Sequence, residues 1–444
     1  MPKKKARNPD HVRPRQSPQV DNAAISEHLK TLLSPAVFAQ QAYYRSLGLR
    51  ERILTLPLML AAILTMLWRQ VPSVHELTRM LQKENLLWCQ AVKVSQKAVS
   101  QRFLGFPAEL LERVFIELLP QLQTRWSQRQ QRPLPEGIQW ASRHFQQIWV
   151  VDGSTLEALF RKLDSLADVP KGQLAGKICT VIDLVTRLPL KIWFETNPFA
   201  HDTQFSERLL NLSAANSLLI LDRGFYDFSF FAQLIAQSVD FISRIKSNAA
   251  FEVERVLTST YLLRDQIVCF KTGENKQQIL RLRLVEVRVG KCWYSYLTSV
   301  LDPQLLPPHV VADLYGRRWR VEEAFLIVKR LLGLSYLWTG SMNGVKLQVW
   351  ATWLFYAVLI DLCDAIADEL ALPVDRISQE MVFRGLYHFN RDYSNGLATD
   401  PVSYFAAEAK SLGIIKTLRK PPQKLNLSPH PIPPITHLTS ASFS

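Results

Sequence analysis

From Ile25 to Arg132, apolar residues recur three and four positions apart and Pro and Gly are sparse, which predicts a run of amphipathic helices. One of them opens at Ser73-Val-His-Glu, where the spacing of serine and glutamate is that of a capping box. A second starts at Ser95 and continues Gln96-Lys-Ala-Val-Ser-Gln-Arg-Phe103, its exposed face carrying types that reach base edges and phosphates. The pair suggests a helix-turn-helix, with a longer intervening segment than the usual tight turn. Gln131–Gln139, with Pro133 and Pro135, reads as a linker. There the period switches. Strands are predicted at Ile148–Asp152, Lys177–Val185, Pro189–Glu195, Ser217–Asp222 and Asp240–Lys246, with helices at Asp202–Ala214 and Phe228–Gln237. The interval from Asn248 to His309 reads as four more strands, with Arg281, Arg283 and Arg288 turned outward. Residues 345 to about 418 return to the helical pattern.

Two apolar runs need a separate reading. Ile53–Trp68 is short for a membrane span and contains Pro57, and Val349–Ile360 is shorter still, so both are expected as buried helices. No secretory signal is visible, because the charged N-terminus has no apolar segment after it. The first 25 residues carry Lys3, Lys4, Lys5, Arg7, Arg13 and Arg15 against two acids, Asp10 and Asp21. They are expected to be disordered when free, either touching DNA backbone or serving as a solubilising tail. Residues 418–444 hold six prolines and read as an unstructured tail. The 444-residue chain has a net charge of +14, which favours a polyanionic partner without identifying it. Its five cysteines are scattered with no Cys-x-x-Cys pair, which suits a reducing cytosol and argues against a disulfide framework or structural zinc.

The chemistry sits where the strands end. Asp152 closes Ile148-Trp-Val-Val and Asp222 closes Leu218-Leu-Ile-Leu. Downstream runs Tyr315-Gly-Arg-Arg-Trp-Arg-Val-Glu-Glu-Ala-Phe-Leu-Ile-Val-Lys329. As one helix, it places Tyr315, Arg318, Glu322 and Lys329 in a stripe roughly 60° wide, with Leu314, Phe325, Val328 and Leu331 on the opposite, buried face. Hard cations such as Mg²⁺ prefer carboxylate oxygens, and two of them bracketing a phosphate stabilise both the attacking and the leaving oxygen. Two strand-end aspartates and a glutamate among cations suit such a site, with Arg and Lys holding the strand. The bland reading is a solvated helix with casual ion pairs, and the upstream aspartates weigh against it. Glu323 lacks the common face. Asp183 is the chief rival carboxylate but is expected mid-strand, Asp202 reads as a helix N-cap rather than a fourth ligand, and Arg223 is placed to pair with Asp222.

These motifs resemble those of DDE transposases of the insertion-sequence-four group, whose third motif is Tyr-x2-Arg-x3-Glu-x6-Lys. The chain matches it at Tyr315, Arg318, Glu322 and Lys329, matches Asp-x-Gly-Phe at Asp222–Phe225, and matches the first motif at Asp152-Gly153-Ser154. The resemblance covers roughly Ile148 to Leu334. It implies a DNA-mediated transposase that cleaves the element's end with metal-bound water and then joins the freed 3′-hydroxyl to target DNA. Asp152, Asp222 and Glu322 would be both catalytic residues and ligands of two Mg²⁺ ions, with Mn²⁺ as a substitute. Tyr315, Arg318 and Lys329 would contact DNA phosphates, as would Arg244 and Lys246 at the end of a strand where similar proteins place a DNA-contacting arginine. Trp293 or Tyr294, in the β insertion, would stack a flipped base, the alternative for Trp293 being an ordinary core role. The implied partners are double-stranded DNA at terminal inverted repeats and at the target, and a second copy of the chain in the synaptic complex, with no membrane. The setting is bacterial cytoplasm, at the nucleoid when DNA-bound. A structure-specific nuclease of the same fold and a catalytically idle DNA-binding protein are the alternatives.

The expected fold is therefore an α/β catalytic core, a ribonuclease-H-like mixed sheet with a β insertion, with an all-α N-terminal domain and a helical C-terminal region. Its expected divisions are a basic tail (1–25), a helical DNA-binding domain (26–132), the catalytic domain (140–340, insertion at about 248–309), a helical region (341–417) and the Pro-rich tail (418–444).

Overall fold

The computed structural model describes residues 23–49, 51–156, 176–197, 199–273, 277–334 and 342–417. The expected tails, before Ala23 and after residue 417, lie outside the described residues. Among the described residues seven helices come first: α1 (Ala23–Ala39), α2 (Gln41–Ser46), α3 (Leu56–Trp68), α4 (Val74–Lys83), α5 (Gln96–Gly105), α6 (Glu109–Gln128) and α7 (Glu136–Ala141). α4 and α5 begin as the sequence pattern predicts, with Ser73 and Ser95 accepting from the amides of Glu76 and Ala98. α3 starts with Pro57 in its first turn, where a missing amide costs nothing, and is otherwise buried along its length.

The rest of the chain alternates strand and helix before a second helical group. It comprises β1 (Gln147–Leu156), β2 (Gly176–Asp183), β3 (Pro189–Glu195), α8 (Ser206–Leu212), β4 (Ser217–Leu221), α9 (Phe228–Ala236) and β5 (Val239–Arg244). Then follow β6 (Glu252–Ser259), β7 (Leu263–Thr272), β8 (Gln278–Val289) and β9 (Cys292–Thr298). The helices that close the chain are α10 (Pro308–Gly316), α11 (Trp319–Leu326), α12 (Met342–Glu369), α13 (Gln379–Ser394) and α14 (Pro401–Ala407). One nine-stranded mixed sheet results, ordered β3-β2-β1-β4-β5-β9-β8-β7-β6. β1 runs parallel to β4 and β4 to β5, and the β6–β9 meander joins antiparallel through β5 and β9.

The sheet has two apolar faces because its strands alternate. Ile148, Val150, Leu218, Ile220 and Ile242 face one layer together with residues of α1, α3, α6, α10, α11 and α12. Trp149, Val151, Leu219, Leu221 and Phe241 face the other, against α8 and α9. The helical stretch 26–132 shares the first of these cores: Trp68 stacks on Phe355 and Phe115 packs on Trp350. α12 is long and apolar enough to cross a membrane, yet nearly all of it is buried in the protein. Its carboxylates Asp361 and Asp364 are bonded to Arg129 at 2.8 Å each, and Asp364 to Arg132 at 2.6 Å. That is how charge is tolerated inside an apolar helix.

Three expectations are corrected. Asp152 does not end its strand: β2 continues beside β1 as far as Leu156↔Gly176. It is β4 that stops, its last pair with β1 being Val151↔Leu221. The stretch Tyr315–Lys329 is not one helix, because α10 ends at Gly316, α11 begins at Trp319 and a π-helical turn follows at Ile327–Leu331. Arg283 does not face outward. It is fully buried, with a bidentate pair to Asp265 at 2.7 Å and a bond to the Leu306 carbonyl.

Candidate active site

Strand alternation puts Asp152 on the same side of the sheet as Ile148 and Val150, and Asp222 follows on the same side as Leu218 and Ile220. Both stand one residue beyond the last β1–β4 pair, on neighbouring parallel strands. α11 packs on this face through Val321, Ala324 and Phe325, and Phe325 meets Trp353 of α12 edge-on. Glu322 thereby reaches the same place.

Arg318 unites the three. Its Nη1 donates to Asp152 Oδ2 at 3.0 Å and lies 3.4 Å from Asp222 Oδ1, while its Nη2 donates to Glu322 Oε1 at 2.7 Å. One guanidinium thus touches carboxylates from three segments, and it cannot neutralise three charges. Asp152 shows the excess: burial first, and then the charge of Asp222, push its carboxyl up to about 7 despite Arg318. Among the described residues, no group of three carboxylate, histidine or cysteine side chains is already arranged to hold a metal ion. Asp152 also accepts from the Gly153 amide at 2.8 Å and Asp222 from the Gly224 amide at 3.2 Å.

The neighbouring carboxylates separate from these. Glu323 is turned to Arg320, with contacts of 2.8 and 2.9 Å. Asp183 closes β2 rather than sitting inside it, and its Oδ1 is taken by the amide and hydroxyl of Thr186. Asp202 is not the N-cap the sequence suggests: His201 holds that position, and Asp202 lies 2.6 Å from Lys177 Nζ. Arg223 is exposed, and the cation beside Asp222 is Arg318.

The other expected contact residues are distributed as follows. Tyr315 is buried, its ring on Tyr296 at 5.1 Å and beneath the Arg318 guanidinium. Burial pushes that phenol up to about 12. Lys329, in the π turn, donates to Ser154 Oγ and the Thr155 carbonyl, both at 2.7 Å, and so braces the turn against β1 just past Asp152. Arg244 pairs across the sheet with Tyr296 and holds its guanidinium over Tyr294. Lys246 caps the Tyr226 ring and donates to its carbonyl. Trp293 and Tyr294 are adjacent on β9 and so point to opposite faces. Tyr294 takes the side of Tyr296 and Arg244, while Trp293 lies between Arg264 and Arg288. Trp319, beside Arg318 and 62% exposed, is an aromatic at the site that the spacing argument passed over, although it stands inside the motif itself.

Residues 143–358 match the family described as "Transposase DDE domain". The chain is 24% identical over 249 residues to a putative transposase, y4zB, of Sinorhizobium fredii, covering 52% of this chain and 67% of that protein. It is 22% identical over 188 residues to a putative transposase for insertion sequence element IS4SA of Synechocystis, covering 41% of this chain and 52% of the other. A probable transposase for element IS5377 of Geobacillus stearothermophilus is 24% identical over 188 residues, covering 41% of this chain. The aligned stretch spans about half the length of these last two relatives. Among solved structures, a piggyBac transposase in a synaptic complex with hairpin DNA is 11% identical, with a TM-score of 0.39 over 83% of each chain.

Proposed function

We propose that this chain, whose residues 143–358 match the family described as "Transposase DDE domain", moves an insertion sequence by cutting DNA at its ends and joining the freed 3′-hydroxyls to a target. The observation that carries this reading is the convergence of Asp152, Asp222 and Glu322 on one guanidinium. The order β3-β2-β1-β4-β5, with only β1, β4 and β5 parallel, supports a ribonuclease-H-like core.

Asp152, Asp222 and Glu322 would hold Mg²⁺, with Mn²⁺ able to replace it and two ions in the loaded site. The donor set fits, being all hard oxygen and carrying more negative charge than Arg318 balances. Bound ions supply charge stabilisation at the attacking and leaving oxygens of a phosphodiester. Asp152, the most buried of the three carboxylates, would serve as a ligand common to both ions. Arg318, once displaced from the carboxylates, holds a phosphate oxygen beside the scissile bond. Lys329 keeps α11 and its glutamate against β1, with its ammonium at the edge of the same site. Arg244 and Tyr294 extend the DNA-facing surface, where Tyr294 stacks an extruded base and the arginine holds backbone. Lys246 contributes backbone contact. α4 and α5 serve end recognition, and two copies of the chain bring two ends together.

A strand-transfer assay with Asp152→Asn, Asp222→Asn and Glu322→Gln tests the assignment. Each is expected to lower both cleavage and joining by at least about 10³-fold while leaving DNA binding intact. Joining at the wild-type rate in any of the three overturns its role.

A further inference from the structure

Beside each of the two aspartates the chain carries a glycine. Gly153 follows Asp152, and Gly224 stands two residues past Asp222. Neither glycine has the left-handed backbone that would require it. Space is what excludes a side chain. A methyl group on Gly153 would overlap Asp202 Oδ1 and lie 2.9 Å from Lys177 Cε, and one on Gly224 would overlap Asp202 Oδ2 and lie 2.8 Å from its Cγ. A single carboxylate therefore fills both places.

That carboxylate is fixed from two directions. Lys177 Nζ lies 2.6 Å from Asp202 Oδ1 and donates to the Ala200 carbonyl at 2.7 Å. Asp202 also begins the 3-10 turn ending at Phe205, which is buried and stacked on Trp193. Lys177 itself sits on β2 opposite Thr155, the residue whose carbonyl receives Lys329. The position matters because the β1–β4 ladder ends at Val151↔Leu221, so no backbone hydrogen bond of that ladder ties Asp222 to Asp152.

We propose that Asp202, tethered by Lys177, is a positioning residue: a wedge between Gly153 and Gly224 that sets the separation of Asp152 and Asp222 where the ladder no longer does. The inference rests on the assignment of cations to those two aspartates. It explains why two glycines and a distant Asp-Lys pair accompany the carboxylates, since a misplacement of about 1 Å at a reacting centre costs on the order of 100-fold.

The test is Mn²⁺ binding by isothermal titration calorimetry on the full chain, alongside cleavage kinetics on element-end DNA and thermal unfolding of every variant. Asp202→Ala removes the wedge and is expected to weaken Mn²⁺ about tenfold or more, as loss of a supporting partner typically does, and to lower kcat with little change in KM. Asp202→Asn fills the same volume and keeps a side-chain oxygen facing Lys177 Nζ, so it stays within about threefold of wild type. Gly224→Ala displaces the wedge and falls with Asp202→Ala. Should Asp202→Ala fail to fold, the contrast between Asp202→Asn and Gly224→Ala carries the same decision. Wild-type Mn²⁺ affinity in Asp202→Ala or Gly224→Ala overturns the wedge, and so does an Asn variant as impaired as the Ala one, because charge and not volume would then be at work. Asp152→Asn separates the two levels: wild-type Mn²⁺ affinity there overturns the cation assignment and the wedge with it, whereas loss there with a harmless Asp202→Ala overturns the wedge alone.

Discussion

Trp293 and Tyr294 are adjacent in the chain but address opposite faces of β9, so the sequence pair offers two candidates and the pleat separates them. Tyr294 shares its face with Arg244 and the carboxylates, while Trp293 is held between two arginines on the other side. Tyr294→Ala is accordingly expected to slow the formation or resolution of end hairpins while first-strand nicking persists, and Trp293→Ala to leave both unchanged. Gel analysis of cleavage intermediates decides between them, and equal loss of nicking in Tyr294→Ala would reduce it to a packing role. Much at this scale was legible in advance. Strand-closing placement, helix spacing and the family resemblance single out Asp152, Asp222, Glu322 and Arg318 as candidates, and the structure brings the four side chains together. Asp202 was misread as a cap because a cap and a wedge look identical in sequence: an aspartate at the start of a helical turn. Only the approach of Gly153 and Gly224 from two other segments separates them.

At the scale of elements, the break between α10 and α11 has an identifiable cause. Arg317 bonds Asp313 at 3.0 Å and Asp375 at 2.6 Å, Arg320 reaches Asp375 at 3.2 Å, and Arg187 pairs with the same carboxylate. Asp375 therefore clamps the residues on both sides of Arg318. Helical periodicity carried the register of this stretch but not its interruption, because the clamp comes from 58 residues further along the chain. Burial alone would raise the Asp375 carboxyl, but Arg187, Arg320 and Arg317 override it and hold the group at about 2. A carboxyl held below its ordinary value stabilises the fold above that value and loses the contribution as pH falls through about 2. Asp375→Asn is thus expected to cost about 2 kcal/mol at neutral pH. The variant should also lose less stability than wild type between pH 4 and pH 2, the window that separates the two pKa values. Denaturant melts at a series of pH values measure both. Parallel pH dependence in the two proteins would remove the clamp from the account.

The whole molecule is organised around one sheet and a core that crosses the expected domain boundaries. The sequence marks a change of period near residue 140, and that change is real as secondary structure. It does not show that α1, α3 and α6 bury their apolar faces against α12 and the sheet, because a pattern reveals which face is apolar and not what covers it. Trp68 with Phe355, and Phe115 with Trp350, are among the contacts that join the helical stretch 26–132 to α12. Calorimetry is expected to show one cooperative transition for the helical stretch 26–132 and the sheet together. Two resolved transitions would establish the stretch as an independent unit.

Arg318 has a further consequence at this scale. A guanidinium pledged to three carboxylates makes cation and polyanion into mutual effectors: whatever draws it away from the acids leaves them open to a cation, and whatever neutralises the acids frees it for a phosphate. Thermodynamic reciprocity then requires each ligand to raise the affinity of the other by the same factor. Titrations of Mn²⁺ with and without element-end DNA, and of DNA with and without Mn²⁺, are expected to give equal enhancements of about 5–150-fold in wild type. In Arg318→Ala the two ligands should bind with little regard for one another, and undiminished synergy there would place the coupling elsewhere. The chain would thus be an enzyme that stays self-quenched, its acids answered from within, until metal and DNA arrive together.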